Sequence, residues 1–201
     1  MCIPKTYLTN YRITGNLPVY SCSGLTSLNI NSFKADNVED LSYMFYNCNN
    51  LKEMNFEAKQ PINISNMFKN CYKLNKIDIT KLNTELVTDM SYMFDSCNSL
   101  ISIDISLFNT KNVQNMTGIF KNCKNLKEIT TEKFVTNNVK DMSEMFMGCK
   151  KLEKINVNNF ITEQVIDMSY MFSGCNSLTE INLGNFKTNK VVYMKSMFKD
   201  C

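Results

Sequence analysis

The chain has no histidine and no tryptophan, and only six glycines and three prolines among its 201 residues. Without histidine, the usual general base and the commonest imidazole metal ligand are both missing, so Ser-His-Asp and Cys-His constellations cannot be assembled. No glycine-rich loop is spaced to cradle a phosphate. No apolar run approaches the roughly 18 residues needed to cross a bilayer. Residues 1–20, with Pro4, Arg12 and Pro18 scattered through them, lack the apolar stretch of a secretion signal. An excess of one charge sign is also missing: 22 basic residues against 19 acidic ones leave a net charge of +3. That is too balanced to announce a nucleic-acid or membrane surface. What remains reads as a soluble chain, 44% hydrophobic, able to bury a core as one elongated domain.

What is present is a period. Cysteine returns every 26 residues at Cys71, Cys97, Cys123, Cys149, Cys175 and Cys201; Cys22 to Cys48 is again 26, and Cys48 to Cys71 is 23. The same apolar set accompanies each cysteine, as in Leu100, Ile103, Ile105, Phe108, Thr110, Val113, Met116, Ile119 and Phe120 after Cys97. Self-similarity at this period is the mark of stacked repeats. The expected organisation is an irregular capping segment over 1–21 and a repeat array over 22–201, with units starting near 22, 48, 71, 97, 123, 149 and 175. The array stops at Cys201 without the polar closing unit that terminal repeats carry, which reads as a fragment.

Within a unit two periods alternate. Leu100 to Ile105 ends in the period-two pattern of a strand with one buried face, as do Leu25 to Ile30, Leu74 to Ile79, Leu152 to Val157 and Leu178 to Leu183. These predict a parallel sheet. Val87, Met90, Met93, Phe94 and Cys97 then fall at spacings of three and four, which predicts a short helix packed on the sheet, with Ser42, Ser91, Ser143 and Ser169 near its start as caps. Thr84, Thr110, Thr136, Thr162 and Thr188 mark the reversal between the two halves, where local bonds from side chain to backbone suit them. The fold expected is a right-handed α/β solenoid of leucine-rich-repeat type with about seven coils, the sheet on one side and short helices on the other.

Segments such as Val87-Thr-Asp-Met-Ser-Tyr-Met-Phe-Asp-Ser-Cys97, followed by Leu100 and Ile103-Asp-Ile-Ser106, resemble the 26-residue repeat of the BspA-like surface proteins of bacteria and protists. The resemblance covers Cys22 to Cys201 and departs at two places. In the coil from Cys48, Met54 and Phe56 replace the usual aliphatics and the following stretch shortens to Glu57-Ala-Lys-Gln-Pro61; Thr131 takes an inward strand position. Local irregularity is expected at both. The resemblance implies non-catalytic adhesion or host contact at a cell surface, through a protein or glycan ligand. The competing reading is an intracellular scaffold or effector, which the missing secretion signal permits.

Candidate functional residues follow from the repeat geometry. The outward strand column Asn29, Asn55, Asp78, Asp104, Thr130, Asn156 and Asn182, with Lys76, Glu128 and Lys154 from the neighbouring column, lines the face that solenoids use for binding. A solvated surface with no partner has the same appearance. Asp78 and Asp104 stand side by side on adjacent coils, where like charges would raise one pKa, as in an acid-base pair; a polar solvent face explains them better. Lys121, Lys124, Lys127, Lys150 and Lys151, together with Lys154, form a basic edge suited to an anionic glycan, phospholipid or nucleic acid, or simply solvated; no nucleic-acid partner is expected. Tyr43, Tyr92 and Tyr170 share a position turned away from the core. The cysteines have no Cys-x-x-Cys spacing and no histidine partner, so no metal or other cofactor is expected. They read as buried, reduced thiols filling core space.

Overall fold

The computed structural model describes residues 21–28, 35–131 and 133–201. The capping segment expected over residues 1–21 therefore lies almost wholly outside the described residues, as does Asn29. Five parallel strands occur among the described residues: β1 (Ser27–Leu28), β2 (Glu53–Ala58), β3 (Lys76–Leu82), β4 (Ser102–Ile103) and β5 (Glu128–Ile129). They form one sheet in the order β1-β2-β3 and a second pairing β4 with β5. Register follows the repeat: Ser27 faces Glu53, Glu53 faces Lys76, and Ser102 faces Glu128. The short coil from Cys48 is irregular, as its sequence predicts: the pairing of β2 with β3 slips between Asn55 and Glu57 while Met54, Phe56 and Ala58 stay buried. Thr131 is fully buried and meets its cost by donating a hydrogen bond to the Asn156 carbonyl of the next coil.

The expected continuous sheet is not formed. It breaks between β3 and β4, and Leu152 to Val157 and Leu178 to Leu183 are not strands. The outward column weakens the ladder but does not alone end a strand, since Asp78 accepts the Thr80 N–H inside β3 where pairing resumes at Lys81. Asp104, Asn156 and Asn182 each accept, through a side-chain oxygen, the N–H two residues further on, from Ser106, Asn158 and Gly184 at 2.9, 3.1 and 2.9 Å. A donor satisfied locally in this way is lost to the strand ladder.

Continuity between units comes from elsewhere. Asp40, Asn63, Asp89, Asn115, Asp141, Asp167 and Tyr193 form an unbroken series of parallel bridges. Each acidic or amide side chain in that series also accepts the N–H two residues ahead, as Asp89 does from Ser91 at 2.8 Å and Asp167 from Ser169 at 2.7 Å. The serines expected to cap a helix are thus donors to an Asx turn.

No helix exists among the described residues. The segment read as helical is a pair of successive tight turns stacked on those of the next coil. The N–H groups of Tyr43, Phe45 and Asn47 cross to the carbonyls of Ser65, Met67 and Lys69, while those of Met44, Tyr46 and Cys48 return to Leu41, Tyr43 and Phe45. Two left-handed residues per unit impose this, for example Tyr92 at φ 55° and Ser96 at 64°. An α-helix requires φ near −63°, so neither can continue one. Two turns of four residues mimic the 3.6-residue helical period closely enough to present the same inward stripe.

That stripe forms the core as columns. Phe45, Phe68, Phe94, Phe120, Phe146, Phe172 and Phe198 stack ring on ring, with centroids 5.3 to 5.9 Å apart and planes within 11°. Beside them, each cysteine from Cys71 to Cys201 donates its thiol to the carbonyl of a phenylalanine in the preceding coil, at 3.1 to 3.2 Å. The threonine column works between coils rather than locally. Thr110 Oγ1 donates to the Val135 carbonyl at 3.0 Å and accepts the Val135 N–H at 2.7 Å, and Thr136 and Thr162 do the same to Ile161 and Lys187. Thr84, Thr110, Thr136 and Thr162 each join two coils through one buried hydroxyl.

Candidate functional site

The strand face carries two exposed columns with different roles. In the first, Asn55 and Asp78 are register partners in β2 and β3, and Asp104, Thr130, Asn156 and Asn182 continue the line beyond the strands. Asp78, Asp104, Asn156 and Asn182 are the acceptors of local turns, so their short polar side chains are required by the backbone. In the second column, Glu53, Lys76, Ser102, Glu128, Lys154 and Glu180 are all exposed and change size and sign from coil to coil. Near the C-terminal end the two columns border an open depression of about 470 Å³ lined by Lys154, Ile155, Asn156, Asn158, Glu180, Ile181 and Asn182.

The expectation that Asp78 and Asp104 raise one another's pKa is overturned. Both are held below the ordinary carboxylate value, first by a hydrogen bond from the hydroxyl of Thr80 or Ser106 and then by the backbone N–H of the same residue. Hydrogen bonds to the charged form favour it, and the only opposing influence on either carboxylate is its slight desolvation.

The basic edge is smaller than the sequence suggests. Lys124, Lys127, Lys150, Lys151 and Lys154 are exposed, but Lys121 is drawn into an internal network. Its Nζ lies 2.7 Å from Glu144 Oε2 and 5.7 Å from the centre of the Tyr92 ring. The Tyr92 hydroxyl donates to the same Glu144 oxygen at 3.1 Å, Lys69 Nζ lies 4.4 Å from the centre of the same ring, and Lys69 pairs with Asp95 at 3.2 Å. Tyr92 reaches Glu144 by crossing Gly118, whose φ is +56° and whose place has no room for a Cβ: one would lie 2.5 Å from Tyr92 Cε1. Burial, then the Glu144 charge, pushes the Tyr92 hydroxyl pKa up. Tyr92 is therefore a structural strap, whereas Tyr43 remains half exposed. Gly118, one coil after Tyr92 and one coil before Glu144 at intervals of 26, was the legible sign of this strap.

The thiols are shielded as expected. Cys71, Cys97, Cys123, Cys149 and Cys175 are buried and unbridged, and Cys201 is exposed. Burial pushes the Cys175 thiol up to about 12, with the neighbouring Cys201 adding to the effect, and raises the other four as well. A thiol held protonated neither attacks nor ligates. Among the described residues no helix is long and apolar enough to cross a membrane.

A family model described as "Mycoplasma protein of unknown function, DUF285" matches residues 19–132 and again 125–201. No curated protein matches the chain. Among solved structures, a leucine-rich repeat protein of T. pallidum is similar at 23% identity and a TM-score of 0.46, over 69% of this chain and 59% of that one. A leucine-rich repeat protein from Bacteroides ovatus is similar at 16% identity and a TM-score of 0.30, over 88% and 57%. The chain thus spans just under three fifths of the length of each.

Proposed function

The chain belongs to the DUF285 family, a Mycoplasma family of unknown function, and we propose that it is a non-catalytic repeat module that binds a macromolecule through its strand face. In this reading the units wind as a right-handed solenoid of about seven coils, and the BspA-like resemblance of the repeat supports a role in adhesion or host contact at a cell surface. The carrying observation is the exposed column Glu53, Lys76, Ser102, Glu128, Lys154 and Glu180. Phenylalanine, cysteine, threonine and Asx columns hold each unit in place, while this column joins the strand register through its backbone alone and its side chains serve no turn or core contact that would dictate their types. A rigid frame with one free column is suited to recognition.

The test uses beads coated with the full chain on cultured host-cell monolayers, beside a variant carrying Lys76→Glu, Glu128→Lys and Lys154→Glu. The reading expects adhesion by the natural chain and its loss in the variant, with thermal unfolding unchanged. Adhesion by neither, or equally by both, overturns it. Protease treatment of intact cells that express the full reading frame separates surface display from the alternative of a cytoplasmic scaffold: only a displayed chain is cleaved.

A further inference from the structure

Away from the strand face, a second open groove of about 470 Å³ is lined by Leu86, Thr88, Asn112, Gln114, Asn138 and Lys140. Its lining repeats with the coil. Thr88, Gln114 and Lys140 occupy one equivalent position, and Leu86, Asn112 and Asn138 another, each 26 residues apart. The first column is rigid, because the Gln114 N–H donates to the Thr88 carbonyl at 2.9 Å and the Lys140 N–H to the Gln114 carbonyl at 2.8 Å. In the second, Asn112 Nδ2 donates to the Glu85 carbonyl at 2.7 Å and Asn138 Nδ2 to the Lys111 carbonyl at 2.8 Å. Pinning Nδ2 fixes the plane of each amide in advance and leaves Oδ1 as an oriented acceptor.

The charge pattern narrows the ligand. No carboxylate lines the groove, and its one cation, Lys140, gives an N–H to Gln114 Oε1 at 3.2 Å. An anionic phosphate polymer would call for clustered lysine or arginine, which is absent here. An added peptide strand would need unpaired backbone groups, yet those of this column are already paired between coils. Fixed amide and hydroxyl groups suit the hydroxyls of a sugar, and Leu86, 47% exposed, offers an apolar patch for the C–H face of a ring. Equivalent groups recur at about 4.8 Å along the stack, close to the advance of one ring in an extended β-linked glycan.

We propose that this groove binds a neutral, extended β-linked polysaccharide lying along the stack, one ring to each of the coils that contribute Leu86, Asn112 and Asn138. This binding is separate from the strand-face reading, and either can fail alone. The experiment is calorimetric titration of the full chain with cellohexaose and with N-acetylchitohexaose, beside glucose and a sulfated heparin hexasaccharide. Saturable binding of a neutral hexamer is expected, weakened about tenfold or more for the monosaccharide and for Gln114→Ala and Leu86→Asp, two exposed changes that leave thermal unfolding in place. The proposal is overturned if neither neutral hexamer binds, if the sulfated sugar binds more tightly than both, or if the two folded variants bind as well as the natural chain.

Discussion

At the scale of single residues, the recurring cysteine is explained by its thiol as well as its volume. From Cys71 onward each S–H reaches a phenylalanine carbonyl one coil back, which alanine could not do and which serine would meet with a more polar group in an apolar column. Titration with a thiol reagent should find Cys201 reactive in the native protein and approach nine groups after denaturation. The pH dependence follows from the same burial. A thiol whose pKa is raised on folding keeps its proton in the native state, so its contribution is fully present below the ordinary value of 9.0 and is lost as pH rises from there toward about 12, the value for Cys175. Denaturant midpoints should therefore fall steadily across that alkaline range. Gly118 presents the opposite case, a position defined by what it lacks. Gly118→Ala should lower stability by roughly 1–2 kcal/mol from the left-handed backbone alone, and by more as Tyr92 is forced off Glu144; a denaturation curve within error of the natural protein would mean the strap is not held as described.

At the scale of the element, the half-coil built from Met-Phe and Cys shows why periodicity misleads. Apolar residues at Met90, Met93, Phe94 and Cys97 satisfy a helical stripe, yet Tyr92 and Ser96 at positive φ convert the segment into two turns. Part of that signal was present in the sequence: Asn47, Asn70, Ser96, Asn122, Gly148, Gly174 and Asp200 immediately precede the cysteines and are residue types that tolerate the left-handed region. In the other left-handed position Asn66 and Gly118 carry the same sign, whereas Tyr43, Tyr92, Glu144 and Tyr170 do not, and their stacking on the next coil holds them there. Truncating Phe120 to alanine should cost about 3–5 kcal/mol, since it lies between Phe94 and Phe146 with no exposed surface. Thr110→Val, nearly equal in volume, should still cost about 2 kcal/mol by leaving the N–H and carbonyl of Val135 without partners in a part-buried place. A loss below half of that, read from denaturant midpoints, would return the threonines to a merely local role.

At the scale of the whole molecule, units lean chiefly on their neighbours, with the Tyr92–Glu144 strap reaching across two repeats, so stability is approximately a sum over units and their interfaces. Far-ultraviolet circular dichroism should show strand and turn signal without the helical double minimum; a strong helical spectrum would contradict the turn pairs. Destabilising a central unit, as Phe120→Ala does, should broaden the unfolding transition or divide it. The 26-residue spacing by itself determined that the chain stacks, which residues face inward and where the irregular coil from Cys48 falls, because burial of one apolar stripe per unit is written in local order. Only the tertiary structure decided what the units are made of. Whether a backbone N–H bonds within its own turn, to an Asx side chain or across to the next coil depends on groups 26 residues away, and that choice removed the helix, broke the sheet and turned Asp78 and Asp104 from a candidate pair into turn acceptors.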